Sequence, residues 1–301
     1  MRKMKPIVFI IMVFASLFSF VATASTQASE TVKIQKVNQQ KWDNLKNYVL
    51  YYGRVQQKEL DILKKYDLVI IDTMSLGADA KEKIAYLKKH GCMVFGYFSY
   101  YEVNKRYSYY PQIKEEWFII KDGKKWMPWG TNYSVSMTHN EWRKMLVELT
   151  KTKVLDYGCD GVFMDTIADI DNPNIPNELR DDELESLDKF LSEITKEYPQ
   201  NYFITNWTLK FTLPVVSKYV DAICWEDFSP EFLTGKSKRW MEKTAKRVLS
   251  YQAEHGFKVL ALWNSDEEPE DLSSQQEIMH KFSKEYGFIP YCCIGNYEKL
   301  K

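Results

Sequence analysis

The sequence predicts an α/β protein, a (β/α)8 TIM-like barrel, on three observations. Eight short apolar runs recur along the 301 residues. Helical patterns fall between them, the alternation expected of a barrel with an outer ring of helices. No GxGxxG or GxxxxGK[ST] motif follows any run, which weakens an open nucleotide-binding sheet.

The runs are Tyr48–Tyr52, Leu68–Asp72, Met93–Phe98, Gly161–Asp165, Tyr202–Asn206, Ala222–Glu226, Val259–Trp263 and Ile289–Ile294. Each is rich in β-branched or aromatic residues and lacks clean alternation, as in strands buried on both faces of a parallel sheet. After the first run, Val55, Leu60, Leu63 and Tyr66 have helical spacing. The pattern over 79–89 stops at His90-Gly91, a C-terminal signal. A long insertion, 99–139, follows the third strand, too aromatic to be disordered. Within it, Trp117–Ile120, the Asp122-Gly123 turn and Lys125–Met127 read as a β-hairpin. Thr138-His139-Asn140-Glu141 reads as a capping box opening a helix to about Leu155. Residues 182–197 place Leu184, Leu187, Phe190, Leu191 and Ile194 on one face, and 237–254 and 272–286 repeat the theme. The last helix is expected to be short or missing, with the segment 38–46 covering its gap.

Residues 1–24 read as a secretory signal peptide. Arg2, Lys3 and Lys5 precede the apolar stretch Ile7–Val21, which ends at the small-x-small triplet Ala22-Thr23-Ala24. The stretch is short for a membrane span, so no stable membrane insertion is expected after cleavage, and the protein is expected to be secreted or held at the cell surface. Residues 25–40 read as a polar tether and 41–301 as a single barrel domain. Of 41 basic and 41 acidic residues, cleavage removes three cations and no acids, leaving a slightly acidic chain. Nothing forms the basic stripe of a nucleic-acid partner. The five cysteines are odd in number, without a CxxC pair, and read as buried small hydrophobes. A bridge between neighbouring strands stays open.

A barrel enzyme builds its active site where strands exit at their C-terminal ends. Here those ends present Asp72, Glu102, Asp165, Asn206, Glu226 and Trp263, with Asp169, Asp171 and Asp227 close behind. Two carboxyl groups flanking a glycosidic bond are the usual equipment for its hydrolysis, and aromatic rings suit the C–H faces of sugars. Each residue also has a plainer use. Asp165 could cap a turn, Asp72 could start one, and Glu102, Asp169 and Asp171 could be solvated loop acids. Trp207 and Trp263 could pack, and the insertion's tyrosines could form a satellite core. The four histidines show no ligand spacing, which argues against a transition metal; hard cations could still bind the acids, and no cofactor is expected. Acids without Lys or Arg at the exits would attract a cationic ligand, for a sugar one with a free amine.

Tyr157-Gly158-Cys159-Asp160-Gly161-Val162-Phe163-Met164-Asp165 resembles glycoside hydrolase family 114, the endo-α-1,4-polygalactosaminidase-like proteins. So do Leu68–Asp72 and Val94–Ser99, and the resemblance runs from about 47 to 294. It implies a secreted barrel that cuts α-1,4-linked galactosamine within an exopolysaccharide, using two acids and no metal. Those acids are then Asp165 and Glu226, with Asp72 as an amine contact. Tyr97, Glu102, Asn206, Trp225 and Trp263 are the further expected substrate contacts. Two alternatives stand beside this reading, a non-catalytic glycan-binding barrel and a hydrolase of another polysaccharide.

Overall fold

The computed structural model describes residues 36–265, 271–295 and 297–300. The expected signal peptide and residues 25–35 of the expected tether lie outside them. Eight parallel strands form one sheet in sequence order: β1 (Tyr48–Tyr51), β2 (Leu68–Ile71), β3 (Met93–Ser99), β4 (Gly161–Asp165), β5 (Tyr202–Asn206), β6 (Ala222–Trp225), β7 (Lys258–Ser265) and β8 (Ile289–Ile294). Before β1 comes α1 (Gln39–Asp43), and between the strands run α2 (Gln57–Leu63), α3 (Ala80–Lys89), α4 (Asn140–Lys153), α5 (Asn177–Glu197), α6 (Leu213–Val216), α7 (Pro230–Thr234), α8 (Lys238–His255) and α9 (Leu272–Tyr286). The sheet curls into a nearly closed barrel. At the seam the Tyr48 and Tyr291 rings lie 5.5 Å apart, and the Tyr52 N–H donates to the Tyr297 carbonyl at 2.8 Å.

Strand residues alternate between two cores, because successive side chains leave a strand on opposite faces. Leu50, Ile70, Phe95, Phe163, Ile204, Cys224 and Leu262 fill the barrel interior. Their neighbours, among them Val69, Val94, Val162, Phe203 and Ile223, face the helices. Both sets are apolar, which explains why the strands show no alternation in sequence. Trp42 of α1 enters the interior from the N-terminal end, 4.7 Å from the Tyr202 ring and stacked on Phe95 at 5.8 Å. The segment 38–46 therefore plugs the bottom of the barrel and does not lie on its outer, helix-covered side as expected. The segment just before it is docked too, with Lys36 paired to Asp221 at 2.6 Å.

The wall between β4 and its neighbours has no spare room. A Cβ on Gly161 would lie 2.4 Å from the Tyr202 carbonyl oxygen and 2.7 Å from Phe95. The backbone oxygen cannot swing aside, so Gly161→Ala is expected to cost about 3 kcal/mol and lower the melting temperature by roughly 6–12 °C. Thermal unfolding followed by circular dichroism checks this, and an unchanged midpoint would contradict the packing.

The insertion after β3 forms the expected hairpin, Ile120–Lys121 paired with Lys124–Lys125. Asp122 and Gly123 both have positive φ, 52° and 71°, as a two-residue hairpin turn requires. Tyr100, Tyr101, Tyr109, Trp117, Phe118 and Trp126 are buried, so these aromatics pack the insertion against the barrel and leave the substrate to others. The capping box expected at Thr138 is not made. His139 precedes α4 without a side-chain cap, and the Glu141 carboxylate pairs with Lys114 at 2.5 Å. A box-like contact occurs instead at α2, where Glu59 accepts from the Gln56 N–H at 2.9 Å. All five cysteines are free, four of them buried.

Candidate active site

The inward side chains nearest the strand exits meet in one cleft of about 560 Å³, lined by Tyr97, Glu102, Trp129, Asn132, Asp165, Asp169, Asn206, Trp207, Glu226 and Asp227 among others. The parity that puts Phe163, Ile204 and Cys224 inside also turns Asp165, Asn206 and Glu226 inward two residues later. After each, the chain turns through a residue in the left-handed region: Thr166 (φ 66°), Trp207 (φ 54°) and Asp227 (φ 57°). None of the three is glycine, and strained backbone of this kind gathers at functional sites.

Asn206 sits between the two acids. Its Nδ2 donates to Asp165 Oδ1 at 3.0 Å and to Glu226 Oε2 at 2.7 Å. Tyr297, just past β8, donates its hydroxyl to Glu226 Oε1. Burial pushes the Glu226 carboxyl above the usual carboxylate range, against the lowering effect of these two donors. The Tyr97 and Tyr52 phenols are raised as well, by burial first and by the charge of Asp165 next. The two acids of the Asp160–Asp165 run have separate tasks. Asp160, at the strand's entry, accepts from the Val94 N–H at 3.0 Å and pairs with Lys88 at 2.9 Å, which ties β3 to β4. Asp165, at the exit, faces the cleft.

A second carboxyl pair lies behind the first. Glu102 and Asp169 are buried, at 3% and 2% exposure, so neither is a solvated loop acid. Glu102 accepts from Asn132 at 3.2 Å and Asp169 from the Trp129 indole at 2.9 Å. Each has one oxygen left without a donor, and a proton shared between the two carboxyl groups satisfies both. Burial pushes Glu102 up to about 7 and Asp169 up to about 8, with neighbouring carboxylate charge adding to each. The folded protein therefore holds protons that the unfolded chain releases near pH 4. This stabilisation is complete below that range and is lost as pH rises through about 7 and about 8. Glu102→Gln is expected to flatten the fall in melting temperature between pH 5 and pH 9; an unaltered pH slope would contradict the shared proton.

Three expected substrate contacts, Asp72, Trp225 and Trp263, do not line the cleft. Trp225 is fully buried on the helix-facing side, 5.3 Å from Phe228 and 6.1 Å from Phe288. Trp263 is 6% exposed and belongs to the same outer core. Both stand one residue out of step with the inward positions, so strand parity excludes them. Asp72 has inward parity, but its Oδ1 accepts from the Met74 N–H at 2.9 Å, capping the turn after β2. Asp171 is also structural: its two oxygens accept from the backbone N–H groups of Lys210, Phe211 and Thr212 and from the Thr212 hydroxyl, at 2.8–3.0 Å. Tyr97, Glu102 and Asn206 do line the cleft. Sequence reasoning missed Trp129, Asn132 and Tyr297. Only Trp129 carried a signal, as a tryptophan inside a turn-rich stretch. Among the described residues no group of three or more His, Cys, Asp or Glu is arranged to hold a metal ion, and no helix is long and apolar enough to cross a membrane.

The family model for glycoside hydrolase family GH114 matches residues 22–231. The chain belongs to family GH114. The match takes in β1 to β6 with Asp165, Asn206 and Glu226, and stops before β7, β8 and Tyr297. Solved structures share the fold of this GH114 chain. The glycoside hydrolase domain of PelA from Pseudomonas aeruginosa has TM-score 0.67 at 16% identity, over 84% of this chain and 96% of that one. Ega3 from Aspergillus fumigatus, in complex with galactosamine, has TM-score 0.62 at 15% identity, over 84% and 92%. An α-amylase from Anoxybacillus has TM-score 0.57 at 13% identity, over 84% and 70%. No curated protein matches the sequence.

Proposed function

We propose that this GH114 barrel is an exported, endo-acting hydrolase of α-1,4-linked galactosamine polymers, working by a two-carboxylate retaining mechanism. One observation carries the mechanism: a single amide nitrogen bonds both acids. Two oxygens held at 3.0 Å and 2.7 Å from one atom stand less than about 6 Å apart. That favours the retaining spacing of about 5–5.5 Å over the inverting range of about 6.5–9.5 Å. Asp165 attacks the anomeric carbon while the glycosidic C–O bond breaks, and Glu226 gives its proton to the leaving oxygen. A water then attacks the glycosyl-enzyme ester, losing its proton to Glu226 and freeing Asp165. Burial raises the Glu226 carboxyl, which favours the protonated form that the first step needs.

The substrate class is supported by the acids of the cleft, whose lining holds six carboxyl groups and no Lys or Arg. The fold shared with Ega3, which was solved with galactosamine, points the same way. Export rests on the basic, apolar and small-residue order of residues 1–24.

Incubation with partially deacetylated α-1,4-galactosamine polymer is expected to release reducing ends, and proton NMR of the first products to show the α anomer before mutarotation. The β anomer would overturn the retaining mechanism. Binding without new reducing ends would favour the non-catalytic barrel, and cleavage of a different polysaccharide alone would move the substrate.

A further inference from the structure

The catalytic cleft continues past Trp207 into a second depression of about 250 Å³, and the sign of the charge reverses on the way. Trp207 and Asp171 line both. Beyond them the walls are Leu209, Lys210, Trp240, Lys243, Thr244 and Arg247. The floor is held firmly. Asp171 accepts three backbone N–H groups from residues 210–212, and Arg247 donates to the Leu209 carbonyl from the α8 side. Trp240 is 46% exposed, with its ring set perpendicular to the buried Trp225 at 6.4 Å. Trp225 thus backs the exposed Trp240 ring from the core side.

Three cations, Lys210, Lys243 and Arg247, outnumber the one acid of this depression, Asp171. Asp171 bonds the four neutral donors already described, Arg247 bonds a neutral carbonyl, and among the described residues neither Lys210 nor Lys243 forms an ion pair. Lys210 leans instead over the Phe211 ring, 4.4 Å from its centroid. An aminosugar strand that leaves the acidic cleft along this path would bring its next ammonium group against Lys210, Lys243 and Arg247. A unit whose amine is acylated has no charge to repel. It offers an amide oxygen to these donors and an apolar ring face to the indole.

We infer that this depression is a sugar subsite for an N-acetylated hexosamine unit, so that the enzyme reads the acetylation pattern of its polymer and cuts where a free-amine unit adjoins an acetylated one. This rests on the galactosamine reading above. It adds a rule for which bonds in a mixed polymer are cut.

The test uses the full-length protein, α-1,4-galactosamine oligomers of one length that are fully deacetylated or partly N-acetylated, and mass-spectrometric sequencing of the products. The partly acetylated oligomers are expected to be cut with at least ten-fold higher kcat/KM. Their products should carry the N-acetyl group at a fixed position on one side of every cut. Lys243→Glu is expected to move the preference at least ten-fold towards the deacetylated oligomer, and Trp240→Ala to raise KM for the partly acetylated one. Products acetylated at random on both sides, or a preference untouched by Lys243→Glu, would overturn the inference. So would a stronger response to uronate-bearing or sulfated oligosaccharides, which would assign the groove to an acidic sugar. If no galactosamine oligomer is cut at all, the function proposed above fails. The subsite is then judged by binding, where wild type must hold the N-acetylated oligomer more tightly than the deacetylated one and Lys243→Glu must narrow the gap.

Discussion

Asp165→Asn is expected to lower kcat on galactosamine polymer by at least about 10³-fold while the protein stays folded. An amide in that place cannot attack the anomeric carbon at a useful rate, so the covalent route closes. The fold has little stake in the charge. Among the described residues Asp165 makes no salt bridge, and its side-chain partners are the Asn206 amide, from which an Asn oxygen can still accept, and the Tyr97 phenol. Ligand binding should therefore survive with turnover gone. A reducing-end assay, with thermal unfolding as the control, separates the two. Hydrolysis at the wild-type rate would remove Asp165 from the mechanism and with it the proposed site.

Glu226→Gln should give a loss that depends on the leaving group. On polymer the leaving group is a sugar alkoxide that needs a proton, and losing the general acid costs about 10²–10⁴-fold. On a nitrophenyl glycoside the leaving phenolate needs little help, so the first step is spared. The second step still lacks its base. The expected record is a burst of nitrophenol followed by a slow steady state, which azide accelerates because an anionic nucleophile needs no deprotonation. An equal loss on both substrates, without a burst, would contradict the role given to Glu226. The environment supports the division of labour. Glu226 is buried and held by Tyr297 and Asn206, and burial raises its pKa.

The eight strands were legible because each is apolar on both faces and each exit carries a recognisable break, such as Asp165 or Asn206. The main helices were legible from their periodicity. The roles of Trp225 and Trp263 were not read correctly, although the chain contained the means. Counting in twos from Cys224 reaches Glu226, and from Leu262 reaches Asn264, so both tryptophans fall on the outward parity. Which face of an apolar strand is the interior becomes visible only when the whole set is aligned, since Val, Ile and Trp serve either face. The second carboxyl pair was out of reach for another reason. Glu102 and Asp169 come from loops after different strands, 67 residues apart in the sequence, and only tertiary burial makes them share a proton.

By itself the sequence determined the alternating strands and helices, the barrel they close into, and the acids at its exits, because apolar periodicity and strand-end chemistry are local properties of the chain. Tertiary structure decided which residues meet. It brought Asn206 between Asp165 and Glu226, carried Tyr297 from beyond β8 to Glu226 at the exit of β6, and set a cationic groove beside an acidic cleft. Distances between distant segments follow from how the sheet curls and how its core fills, and no local pattern encodes them.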